Sequence, residues 1–250
     1  MARWRLAALG LPQAVRCGRW AAQVSTEPLG GEELHHVILL LNGASSSGKT
    51  SLARAPQLRW PSPLLHLGTD TALQMLPQSY VGMKPSARDG IEFYDDTDDV
   101  GPVVRVRSGP VGKRLQDSFA RAVRLLAESG HDLVLDLVLF DRNSVSSYVR
   151  ALNGHPTYLI GVLCDLAVLE ARELARGDRF QNLSRAQLNT VHEFREFYDL
   201  EVHTTARGPR ELAEFIGDSV AAHPSAAGIA RLHSRLVSQQ SARRPTRPCS

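Results

Sequence analysis

Gly43-Ala44-Ser45-Ser46-Ser47-Gly48-Lys49-Thr50, preceded at once by the apolar run Val37-Ile38-Leu39-Leu40-Leu41, decides the fold of this 250-residue chain. The octet fits the Gly-x4-Gly-Lys-[Ser/Thr] pattern of a phosphate-binding loop, or P-loop. Its two glycines let the backbone curl so that successive N–H groups point inward at phosphate oxygens. Lys49 then reaches the β- and γ-phosphates, and Thr50 offers a hydroxyl to Mg²⁺. A helix starting near Gly48 aims its positive end at the same anion and adds to the hold. Residues 43–50 are therefore expected to bind a nucleotide.

Further apolar runs at 64–67, 133–140 and 158–163, with a shorter one at 200–203, read as buried parallel strands. Helical patterns lie between them, clearest where Leu115, Phe119, Val123 and Leu126 recur at steps of three and four. Strands alternating with helices give an α/β fold. The turns Asp141-Arg142-Asn143 and Cys164-Asp165 follow two of these strands, where loops over the carboxyl ends build a site. Asp165 is placed to cap the next helix.

With 43% hydrophobic residues, the chain can bury one substantial core, and two full domains would be tight. The expected organisation is a flexible basic extension over 1–33, a kinase-sized domain over 34–223, and a frayed, helical or disordered tail over 224–250. Lysine occurs only at Lys49, Lys84 and Lys113, so arginine carries almost all of the basic charge, the mark of genome composition bias. The net charge of +3 is spread without a compact basic stripe or stacking aromatics, which argues against nucleic acid. No stretch approaches the roughly 20 apolar residues of a membrane span. Cys17, Cys164 and Cys249 show no metal or redox spacing and fit a reducing cytoplasm. Residues 1–26 carry four arginines and no acid, which is also the composition of an organelle transit peptide.

A P-loop does not by itself choose between a kinase, a hydrolase and a switch. Gly68-Thr69-Asp70 follows the second strand, so Asp70 is expected beside the loop, where it can orient an attacking hydroxyl and accept its proton late in the reaction. The competing expectation is that Asp70 caps a helix beginning at Thr71. Arg172, Arg176 and Arg179, spaced four and three apart, read as a guanidinium stripe that clamps phosphates from a lid hinged at Gly177-Asp178. The alternative is a solvated face paired with Glu170 and Glu173. Asp136 lies inside an apolar run, where a charge needs a partner: Mg²⁺, or a hydrogen bond from Thr50 or the backbone. Asp95, Asp96, Asp98 and Asp99 read as an exposed acidic loop, and the lone His192 as structural.

Taken in order, these motifs resemble the chloramphenicol phosphotransferase family of P-loop kinases. The likeness runs from about Val37 to Thr205. Besides the loop, it rests on Gly68-Thr69-Asp70, Gly90-Ile91-Glu92-Phe93, Gly101-Pro102, Asp136, the block from Gly161 through Arg176-Gly177-Asp178-Arg179, Val191-His192 and Tyr198-Asp199-Leu200-Glu201-Val202. The resemblance implies an adenylate-kinase-like three-layer sandwich, with a five-stranded parallel sheet and a helical lid. It implies ATP and Mg²⁺ as cofactors and a small-molecule hydroxyl acceptor, an antibiotic in the namesake enzyme. It implies Asp70 as the base, with Lys49, Arg176 and Arg179 as catalytic residues. Arg172 joins the loop in holding nucleotide, while Thr50 and Asp136 hold the metal.

Three departures from the family pattern stand out. Pro56 falls about two turns into the helix after the loop, which it is expected to shorten or kink. Leu137 replaces a second acid beside Asp136. The segment 103–111 is rich in arginine and glycine, so the acceptor need not be chloramphenicol. A nucleotide-sugar acceptor, as in zeta-type toxins, and a non-catalytic nucleotide-binding module are the other readings. No Asn-Lys-x-Asp motif selects guanine, which leaves ATP as the default donor over GTP.

Overall fold

Ile38, Leu39, Leu40 and Leu41 are all buried, so the strand they form is covered by apolar groups on both faces, as a central strand of a parallel sheet must be. The computed structural model describes residues 36–177 and 180–242. These belong to a unit spanning Glu33–Ser250. Along the chain run β1 (Ile38–Asn42), α1 (Lys49–Gln57), β2 (Leu64–Gly68), α2 (Thr69–Gln74), β3 (Val81–Gly82), β4 (Ile91–Thr97), β5 (Pro102–Ser108) and α3 (Pro110–Glu128). They are followed by β6 (Asp132–Leu137), α4 (Arg142–Leu152), β7 (Thr157–Leu163), α5 (Leu166–Arg176), α6 (Leu183–Val191), β8 (Leu200–His203), α7 (Pro209–Ala222) and α8 (Gly228–Ala242). The expected basic extension lies outside the described residues.

Five strands form one sheet in the order β2-β6-β1-β7-β8, with every neighbouring pair parallel. The alternation along each strand sorts side chains between two layers of helices. Ile38, Leu40, Leu133, Leu135 and Leu159 face α3, α4 and α8, whereas Leu39, Leu41, Val134, Ile160 and Val162 face α1 and α7. This is the three-layer α/β arrangement the sequence implies. The run 133–140 is strand only to Leu137. Beyond it the chain leaves the sheet, and Val138 and Phe140 turn toward a cavity at the carboxyl ends of the strands.

Three elements refine the expectation. First, residues 91–108 form an antiparallel hairpin, β4 with β5, to which the short β3 adds a parallel edge. The acidic cluster is split, Asp95 and Asp96 lying at the exposed end of β4 and Asp98 and Asp99 in the turn before β5. Within the hairpin Glu92 lies directly opposite Arg107, and Arg107 Nε bonds its carboxylate at 2.5 Å. Asp96 takes Arg105 in the same way. The arginines of 103–111 thus serve cross-strand pairs. Second, Pro56 sits in the last turn of α1 and the helix ends one residue later at Gln57, short as expected. Third, no loose tail begins at Pro224. Helix α8 docks Ile229 and Leu232 into the core beside α4, so the described part of the tail belongs to the domain. Among the described residues, no helix is long and apolar enough to cross a membrane.

Leu232→Ala is expected to lower unfolding free energy by about 2–4 kcal/mol, as for a truncated core leucine. Urea denaturation checks this; a loss of a few tenths would mean that α8 is a peripheral appendage.

Candidate active site

The phosphate loop is shaped by two left-handed residues, Ser46 at φ 60° and Gly48 at φ 89°. At Gly48 such a conformation has no Cβ penalty, and α1 begins with the next residue. Gly43 is constrained differently, since a Cβ there would fall 2.5 Å from the carbonyl oxygen of Val162 on β7. The loop thus presses against the sheet at its root and opens at its tip. Ser45 through Thr50 line a cavity of about 520 Å³. Gly43 and Ala44, expected to touch nucleotide, do not line it. They act from behind, their carbonyls accepting Lys49 Nζ at 2.9 and 2.7 Å.

Lys49 is only 5% exposed, and its ammonium also lies 4.0 Å from Asp136 Oδ1. Pairing β6 between β1 and β2 brings Asp136 level with Leu41 and Gly68, so its carboxylate emerges beneath the first turn of α1. Thr50 Oγ1 donates to Asp136 Oδ2 at 2.5 Å, and His66 Nε2 stands 3.8 Å from the same oxygen. Burial pushes the Asp136 carboxyl up, but His66, Lys49 and Thr50 together hold it below the ordinary carboxylate range. Both alternatives weighed for Asp136 meet here: the Thr50 bond exists, and the two groups offer hard oxygens on one cavity wall, the donor type Mg²⁺ takes. Ser46 Oγ is buried with no hydrogen-bond partner, as expected of a donor awaiting a phosphate oxygen.

Asp70 lines the same cavity from the first turn of α2. It does not cap that helix; Gly68 holds the N-cap position, with the Thr71 hydroxyl accepting its N–H. Apolar side chains from Ile91, Phe93, Val106, Leu115, Val138 and Phe140 line the same cavity. The cavity therefore combines the polar phosphate loop with apolar side chains from the hairpin, α3 and the segment after β6.

Arg172 and Arg176 both line the cavity from α5. Neither expected acid faces them as a partner: Glu173 is buried and accepts the Ser184 N–H at 3.0 Å, while Glu170 lies 3.8 Å from Arg185. Burial pushes the Glu173 carboxyl up despite the Ser184 bonds. Arg172 is oriented by the Thr204 carbonyl at 2.7 Å and the Thr204 hydroxyl at 3.2 Å, next to Gly48. Helix α5 ends at Gly177 in the left-handed conformation. Arg179 lies outside the described residues. Asp165 occupies the N-cap position of α5 without a side-chain bond.

Sequence reasoning missed Asn42, Gln187 and Arg207. Asn42, fully buried at the end of β1, donates to the Val191 carbonyl at 2.7 Å and to Tyr198 Oη at 2.8 Å. Its own oxygen accepts the Leu139 N–H at 3.0 Å. A polar residue closing an apolar strand run was the available signal. Arg207 lines the cavity beside Thr204, and nothing in its sequence context marks it. His192 is structural as expected: its Nδ1 shares a 2.7 Å hydrogen bond with Tyr198 Oη.

Comparison with known proteins agrees with this geometry. The family model described as "Chloramphenicol phosphotransferase-like protein" matches residues 36–221. Two strains of Mycobacterium tuberculosis carry relatives named "Putative O-phosphotransferase", MT2714 and Rv2636. Each is 30% identical over 212 residues, covering 80% of this chain and 89% of theirs. Among solved structures, the APS kinase CysC of Mycobacterium tuberculosis, in complex with AMPPNP and APS, overlays with a TM-score of 0.51 at 15% identity, over 75% of this chain and 98% of that one. The tunicamycin resistance protein of Deinococcus radiodurans gives 0.50 at 16% identity, over 74% and 95%. The chain belongs to the chloramphenicol phosphotransferase-like family and has the fold of P-loop kinases.

Burial lowers the His192 pKa to about 4, helped by the charges of Arg195 and Lys49 and opposed by Glu201. Between pH 6.5 and 4 the unfolded chain binds the proton that the folded ring refuses. Stability is therefore expected to fall as pH drops through that window, by about 1–2 kcal/mol once screening of the partly solvated ring is allowed for. Urea midpoints across this range, compared with His192→Asn, test the expectation; identical slopes in both proteins would exclude His192 as the source.

Proposed function

We propose that this P-loop phosphotransferase moves the γ-phosphoryl group of ATP to a hydroxyl of a small, largely apolar molecule, with Asp70 facing that hydroxyl. The observation that carries the reading is that Asp70 shares one cavity with the phosphate loop and with a set of apolar side chains. The triphosphate lies along residues 45–50 and meets the N–H groups of the loop, the positive end of α1 and Lys49. Arg172 and Arg176 face it from the lid side, where they offset charge on the moving group.

In the proposed step, the acceptor oxygen forms a bond to the γ-phosphorus while the bond from that phosphorus to the β,γ-bridging oxygen breaks. The acceptor proton passes to Asp70 and then to solvent, leaving a phosphate ester and ADP. Asp70 contributes mainly by orienting the hydroxyl. Thr50 and Asp136 fit Mg²⁺, which when bound neutralises charge on the phosphates. Separating Asp136 from Lys49 by about 4 Å lets a cation and the lysine share one carboxylate. The apolar side chains of the lining favour an acceptor with substantial apolar surface beside its hydroxyl.

The family's name makes chloramphenicol and other hydroxylated antibiotics the first acceptors to try. Incubation with MgATP and such a panel, followed by mass spectrometry, is expected to reveal a phosphate adduct on one compound. With that acceptor, Asp70→Asn should lower kcat by about 10²–10⁴-fold. A full rate in Asp70→Asn would remove Asp70 from the chemistry, while ATP binding without any adduct across a broad panel of alcohols would point to a binding module. Asp136→Asn should raise the Mg²⁺ concentration for half-maximal rate by about tenfold or more, the effect of losing roughly 1.4 kcal/mol of metal affinity. An unchanged Mg²⁺ titration would show that Asp136 serves Thr50 alone.

A further inference from the structure

Gln187 projects from α6 toward the phosphate loop and is only 7% exposed. Its Oε1 accepts the backbone N–H of Ser45 at 2.7 Å. A backbone N–H can only donate, so the amide must present its oxygen to Ser45, and this fixes which way it is turned. The NH₂ group is then directed away from that bond. Among the described residues it donates to no protein acceptor, although Gln187 lines the cavity alongside Ser45 and Ser46. The next loop residue repeats the pattern, since Ser46 Oγ is buried and lacks a partner. Two donors are thus left over beside the loop, the Gln187 NH₂ and the Ser46 hydroxyl, and for the buried Ser46 hydroxyl the lack of an acceptor is costly.

We infer that Gln187 is a further phosphate-binding residue, whose NH₂ donates to the terminal phosphate of a bound nucleoside triphosphate while its oxygen stays on Ser45. This rests on the phosphotransferase reading above. The terminal phosphate is chosen over the inner ones because Gln187 reaches the loop from α6, opposite α1. The inner phosphates are already served by the loop's own N–H groups and the α1 terminus. A neutral donor held by the loop itself adds no charge to repel Lys49 or the arginines. The bond to Ser45 orients the amide before any nucleotide arrives, so little of its freedom is lost on binding.

The test measures affinities for AMPPNP and ADP, each with Mg²⁺, in wild type, Gln187→Glu and Gln187→Met, together with nucleotide-free melting temperatures. Glu keeps an oxygen for Ser45 and replaces the NH₂ with an anionic oxygen. Met keeps the volume and removes both polar atoms. The preference for triphosphate over diphosphate should fall about tenfold or more in both variants, as for loss of a hydrogen bond to a charged group. If Gln187 only ties α6 to the loop, Glu will keep the wild-type preference and Met will weaken both nucleotides equally; either result overturns the inference. Should the Glu variant not fold, the ratio in the Met variant decides. Wild type that binds neither nucleotide would fail the phosphotransferase reading itself, an outcome distinct from an unchanged ratio in the variants.

Discussion

The carboxyl end of β1 is buried on every side, and the chain must leave the sheet there with its polar groups paired inside the protein. Asn42 meets that constraint. One amide reaches α6 through the Val191 carbonyl, Tyr198 through its hydroxyl, and the segment after β6 through the Leu139 N–H. These segments surround the root of the phosphate loop, so the position of the loop is set by a fully paired Asn42 amide within an apolar core. An unpaired amide at that depth would cost about 1–3 kcal/mol, which makes the pairing restrictive as well as stabilising. Tyr198 continues it to His192, and its ring lies against Gly161 so closely that a Cβ there would sit 2.2 Å from a ring carbon.

Charge at the site follows from the same sheet. Asp136 is placed by β6 between two apolar neighbours, where an isolated carboxylate would be expensive. Lys49, Thr50 and His66 compensate it, and Lys49 is in turn held by the carbonyls of Gly43 and Ala44. The cation that the loop needs for phosphate is thus positioned before any phosphate is present. Three arginines that do not line the cavity pair with acids. Arg105 and Arg107 are taken up by acids of the hairpin, and Arg185 by Asp98. Arg172 and Arg176 line the cavity.

The parts of the fold legible in the sequence were those with dense local signal. The loop octet, the apolar runs of β1, β6 and β7, and an aspartate inside such a run each carry their physics in consecutive residues. The hairpin was less legible because β4 and β5 alternate apolar with charged residues, and the charged face, read alone, resembles a solvated loop. Pairing opposite charges across two strands cannot be seen within one strand. Helix α8 was hidden by the arginine-rich stretch that follows it, although Ile229, Leu232 and Leu236 keep a helical spacing and pack against the core. Asn42 and Gln187 have no motif at all: each is a single amide whose importance comes from what the fold brings to it.

Helix α6 is held at its start, middle and end, and this bears on how rigidly the loop is placed. At its start, α6 is tied to the hairpin by Asn182 and Arg185, which both donate to the Pro102 carbonyl, at 3.0 and 2.8 Å. Its end is tied to the root of the loop, where Val191 packs against Ala44 and bonds Asn42. Gln187 adds a bond to Ser45 between them. Moving α6 would break all of these together, at several kcal/mol if each net hydrogen bond contributes about 1 kcal/mol. Helix α5 is anchored near its start by Leu169 and toward its end by the carboxylate of Glu173, while Leu174 is exposed and Arg176 faces the cavity. Helix α6 therefore acts as a fixed wall of the site. The last turn of α5 carries Arg176 to the cavity and ends at Gly177, so the arginine wall stands on α5 while α6 fixes the loop behind it.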